Sequence, residues 1–121
     1  IMLGQLAAER GARPALRAYG QTLHDDHAQA RQQVLPMAQQ AGVAITEEPM
    51  PEAAKERRKL ERLRGRDFDR EFARYMVRDH RKDIADFQKQ ARRGGPAGDL
   101  ARQTLPVLRK HLQMAERLAQ A

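Results

Sequence analysis

Cysteine, serine and tryptophan are all missing from the 121 residues, and each absence closes off a chemistry. Without Cys there is no disulfide, no Cys-ligated zinc and no thiol nucleophile. Without Ser there is no serine nucleophile, and Thr22, Thr46 and Thr104 have no base at a useful spacing. Thr104 instead reads as a helical residue that bonds back to its own backbone. Aromatic residues make up only 4%. All but Tyr19 fall in one stretch, at core spacing (Phe68, Phe72, Tyr75, Phe87), which leaves no stacking platform for single-stranded nucleic acid. No apolar run approaches the ~20 residues that cross a bilayer, and no signal-peptide pattern is visible. Glycine-rich phosphate loops, H-E-x-x-H and G-x-S-x-G are absent as well. These absences lean against an enzyme without excluding one.

What is present is the composition of a helical protein. Charged residues reach 32%, and Ala, Leu, Arg and Gln are abundant. Such side chains lose little freedom in a helix, and no stretch alternates β-branched and polar residues as a strand would. The fold class is all-α, and the length suits one domain over residues 1–121. The formal charge is +7. Between Glu52 and Arg66 the positives Lys55, Arg57, Arg58, Lys59, Arg62, Arg64 and Arg66 outnumber Glu52, Glu56 and Glu61. A basic balance of this kind suits an anionic partner such as nucleic acid, a lipid surface or an acidic protein. It equally suits a solvated helix face with Glu and Arg interleaved at i,i+4.

Five helices are expected, at about 1–10, 14–41, 52–64, 67–93 and 97–119. The first begins in register (Leu3, Leu6, Ala7) with no cap, so it reads as truncated, the end of a longer natural chain. Pro14 suits the first turn of the second helix, where its missing N–H costs nothing. The stripe of that helix is Leu16, Tyr19/Gly20, Leu23, His27, Ala30, Val34 and Met37/Ala38, with Pro36 as a kink and Gly42 as a cap. Val43 to Pro51 reads as a linker. A short basic helix follows that can cover a core but not build one. The third core helix opens at an Asp67 cap and carries Phe68, Phe72, Tyr75/Met76, His80, Ile84 and Phe87. After the Gly94-Gly95-Pro96 turn, the last stripe is Leu100/Ala101, Leu105, Leu108, Leu112, Ala115 and Leu118/Ala119, with His111 on its border and Pro106 as a second bend.

Histidines therefore interrupt three apolar stripes. His27, His80 and His111 each lie roughly 20 Å along helices of about 35–40 Å, at 1.5 Å per residue. Seam-facing residues at mid-helix would meet in one layer of a bundle. Bundles build metal sites from such inward side chains, and imidazole suits Zn or Cu. Asp79, Asp83, Asp26 and His24 lie within a turn of the layer, and Met76 and Met114 could add thioethers. The other reading of the same residues is a hydrogen-bonded polar network that gives the core its specificity. On the layer reading His27 and His80 approach each other, with Asp83 or Asp79 as a ring partner.

Several segments have a familiar look: LGQLAAERG, LHDDH, FDREFARYMVRDHRKDIADFQKQA and TLPVLRKHLQMA. Together they resemble the bacterial domain-of-unknown-function 4142 family over nearly the whole chain. The most specific matches are His27, Phe68, Asp69, Asp79, His80, Pro106 and His111; the apolar Met2 departs from the acidic residue usual there. The resemblance implies a ferritin-like four-helix bundle with a short extra helix in its crossover. It also implies export, to the periplasm or the outer membrane, and no defined activity. It does not imply a ferroxidase. Ferritin-like di-iron sites use Glu-x-x-His pairs, and here the residues three before the histidines are His24, Val77 and Leu108. Two functions stay in view: a transition metal or small ligand held at the histidine layer, or an anionic partner docked on the basic face.

Overall fold

The computed structural model describes residues 2–40 and 51–120. It is an all-α helical bundle, with α1 (Met2–Arg10), α2 (Pro14–Gln40), α3 (Pro51–Glu61), α4 (Gly65–Ala91) and α5 (Gly95–Gln120) and no strand among the described residues. The expected linker at 43–50, the cap at Gly42 and the side chains of Val34, Met37 and Ala38 lie outside the described residues. The chain divides into two compact units, residues 1–69 and 70–121.

In the first unit, α1 and α2 form an antiparallel hairpin that turns at Gly11, whose N–H donates to the Ala7 carbonyl (2.9 Å). The two backbones run unusually close. A Cβ added at Gly20 would lie 2.6 Å from the Gly4 oxygen and 2.7 Å from the Ala8 nitrogen. Only glycine at that crossing lets the helices meet, and it brings Leu3, Leu6 and Ala7 of α1 into the core with Leu16 and Tyr19 of α2. Leu60 of α3 and Phe68 at the start of α4 are also fully buried.

Asp69 fastens this unit. Its side chain is 2% exposed, and it accepts the Ala12 N–H at Oδ1 (2.8 Å) and the Arg13 N–H at Oδ2 (2.9 Å). Ala12 and Arg13 directly precede α2, so a carboxylate some fifty-seven residues away acts as its N-terminal cap, beside the positive end of the helix dipole. Arg17 closes the same turn from the other side, donating to the carbonyls of Gly11 (3.0 Å) and Ala12 (2.8 Å). Helix α4 starts two residues before the expected Asp67 cap. Gly65 takes a left-handed φ of 59°, which a side chain would resist, and the first bond runs from the Phe68 N–H to the Arg64 carbonyl.

In the second unit, α4 and α5 are antiparallel across a short turn at residues 92–94. Gly95 has φ 84°. Arg102 donates to the carbonyls of Ala91 and Arg93 and pairs with Asp99, which satisfies the free end of α4. Gly98 is buried against the Arg93 carbonyl, and a Cβ there would collide with it. The core is Phe72, Ala73, Tyr75 and Met76 from α4 with Ala101, Leu105 and Ala115 from α5. Helix α5 continues through Pro106, as α2 does through Pro36. Thr104 Oγ1 donates to the Leu100 carbonyl (2.8 Å), the back-bond its position suggested.

Candidate functional site

The stripe of α4 carries Phe72, Met76 and His80 inward at four-residue steps, so the imidazole of His80 enters the same seam as the apolar residues before it. His80 is 6% exposed, and so is His111 on α5. His111 therefore belongs inside its stripe, not on the border, and is more deeply buried than the neighbouring Leu112. The two rings meet edge to face, with centroids 5.8 Å apart and planes at 84°. Beyond them the seam opens: Ile84 and Phe87 are only half-buried.

The tautomer of His80 follows from its partner. Nδ1 lies 2.8 Å from the Met76 carbonyl oxygen. A carbonyl only accepts, so Nδ1 carries the proton and Nε2 holds a lone pair. Burial lowers the pKa of His80, the Met76 carbonyl and Asp79 work against that shift, and His111 adds to it. The ring is neutral at pH 7.

Asp83 stands one turn further along α4, half-buried. Its pKa is pushed up to about 6, first by desolvation and then by the neighbouring charges of Asp79 and Asp86, with Lys82 opposing. Asp79, Asp83 and Asp86 are spaced i, i+4, i+7 along one side of the helix.

His24 and His27 belong to the first unit. His27 is exposed instead of facing a seam. Gly4 of α1 lies against Leu23 and His24 of α2, and His27 stands about one turn beyond that contact. Partial desolvation, then the charges of Arg31 and His24, lower the pKa of His27. His24 is half-buried, and its Nδ1 is enclosed with no hydrogen-bond partner. Met76 is buried and Met114 half-buried. Among the described residues, no three His, Asp or Glu side chains are grouped in a way that could hold a metal ion.

The His80–His111 pair has the spacing of a two-ligand anchor. Two imidazoles bound to one ion at about 2.0–2.1 Å place their centroids roughly 5–6 Å apart. Sequence reasoning gave Asp69 and Arg17 no role, although Asp69 stood among the motif residues. The signal was obscured because the backbone groups it caps are remote in sequence, and no local spacing rule reaches them.

A family model described as a domain of unknown function, DUF4142, matches residues 1–118. No curated protein and no solved structure shows a match to the chain.

Proposed function

The chain belongs to the DUF4142 family, whose description assigns no activity, and we propose that it is a non-enzymatic binder of a transition-metal ion, Zn or Cu, anchored by His80 and His111. The observation that carries this reading is the buried, edge-to-face imidazole pair. One ring is already oriented by a backbone carbonyl, as ligating histidines commonly are. The raised pKa of Asp83 adds support. Carboxylates that resist ionisation because of one another gain from a cation nearby, and solvent would complete the coordination shell that two histidines leave open. Asp79 acts on the field without being needed as a ligand, and the half-buried His24 and exposed His27 of α2 are left out of the set.

Equilibrium dialysis of the wild-type chain against Zn, Cu(II) and Ni, followed by metal analysis, tests the proposal. About one ion per chain is expected, with loss of that ion in both His80→Leu and His111→Leu. At a free metal concentration one hundred times Kd, the wild type should gain about 2.7 kcal/mol of stability. Absence of bound metal, or binding that survives both substitutions, would refute it. The proposal also takes the protein to be exported to the bacterial periplasm or outer membrane, supported by the family resemblance; cell fractionation tests that part.

A further inference from the structure

Helix α3 sorts its charges by face. Leu60 and Glu56 are buried and Ala53 and Ala54 half-buried, which defines the inner side. On the opposite side Lys55, Arg58 and Lys59 are all exposed, spaced i, i+3, i+4 so that they share one face, and the exposed Arg62 follows directly after the helix end. The three glutamates of the segment do not enter that row. Glu56 is turned inward, Glu61 pairs with Arg57 (3.3 Å), and Glu52 lies at the start of the helix. Arg64 and Arg66 continue the exposed positive charge past the helix end. The row has no exposed apolar or aromatic residue, so whatever it meets is met by charge.

We propose that this face of α3 docks on an anionic phospholipid surface. The helical wheel favours a plane over a groove. At about 100° per residue the three cations within the helix occupy roughly a 100° arc, while Glu52 and Glu61 project to either flank at roughly 70–110° from its centre. Against a flat sheet of headgroups only the basic arc makes contact, and the flanking carboxylates point away. Inserted in a duplex groove, the same carboxylates would face the phosphate walls. Guanidinium and ammonium groups in a row suit headgroup phosphates, and with nothing apolar to insert the attachment is reversible and sensitive to salt. This inference is independent of the metal reading, since no histidine takes part in it.

Vesicle co-sedimentation tests it, using equimolar phosphatidylcholine and phosphatidylglycerol, phosphatidylcholine alone, and a random-sequence DNA duplex in a parallel titration. The full chain should sediment with the anionic vesicles at low salt and not with the neutral ones. The variant K55Q/R58Q/K59Q/R62Q should bind them at least ~100-fold more weakly, since each charge near the surface contributes roughly fivefold. The control K89Q/R92Q/R93Q/R109Q removes the same charge from exposed positions elsewhere and should lose far less. Circular dichroism should show both variants folded, because every changed residue is on the surface. Equal losses in the two variants, binding to neutral vesicles, or tighter binding to the duplex than to the anionic vesicles would each overturn the proposal.

Discussion

Replacing Asp83 with Asn should stabilise the protein at neutral pH and do nothing in acid. In the fold its pKa is about 6, against an ordinary 3.8. The raised value means that the folded state binds the proton more tightly than the unfolded chain. Stability attached to this group is therefore greatest below about pH 4 and falls as the pH rises toward 6. A shift of about two units corresponds to at most ~3 kcal/mol at 1.36 kcal/mol per unit. Asp83 is only half-buried, so solvent screening reduces this to about 1–2 kcal/mol. Asn keeps the shape and cannot ionise, so the variant should be more stable by that amount at pH 7.5, a rise of several degrees in Tm. Near pH 4 the two proteins should melt together. Paired thermal melts across pH 4–8 isolate the effect, because His80 titrates in both proteins and largely cancels from the difference. A variant less stable than wild type at pH 7.5, or a stability difference that does not change with pH, would refute the reasoning.

His80→Leu should alter the pH profile in the opposite sense. The folded pKa of His80 is lowered, so its contribution is present above about pH 6.5 and is lost as the pH falls; in urea titrations the variant should gain on wild type at pH 5 relative to pH 7.5. Asp69→Ala should cost about 2–4 kcal/mol, because two backbone N–H groups lose a charged acceptor; denaturant unfolding checks this, and a loss below ~1 kcal/mol would mean that water replaces the cap. Gly20→Ala should destabilise by about 1–2 kcal/mol. Pushing α1 off α2 at the 2.6 Å and 2.7 Å contacts outweighs the roughly 1 kcal/mol that alanine gains in helix propensity; a more stable variant would show that the two helices separate freely.

The helical class was legible because composition and three-and-four periodicity are local properties. The buried positions of Leu3, Leu6 and Ala7, and of Phe72, Met76 and His80, follow from that register. The placement of His27 was not legible in the same way. Its stripe is as regular as that of His80, but a stripe is buried only where another element covers it, and the contact of α1 with α2 is seen at Leu23 and His24, about a turn short of His27. His111 erred in the other direction: a one-residue rotation of the reading placed Leu112 inward and the imidazole at the edge. The Gly4–Gly20 crossing and the Asp69 cap are contacts between segments far apart in the chain. Helix periodicity says nothing about which carboxylate will find which free N–H, so both emerged only in three dimensions. Asp83 was named beside the histidines from spacing alone; the mutual repulsion of Asp79, Asp83 and Asp86 that lifts its pKa depends on how far water is excluded.

The metal reading is tested most directly by following the histidine side-chain nitrogens by NMR during a zinc titration of the wild-type chain. If His80 and His111 hold the ion, their ring signals should shift together and saturate near one equivalent, with Nε2 of His80 as the nitrogen affected, because its Nδ1–H stays on the Met76 carbonyl. His24 and His27 should stay where they were. Shifts confined to His24 and His27, or no saturable shift at any histidine, would contradict the account.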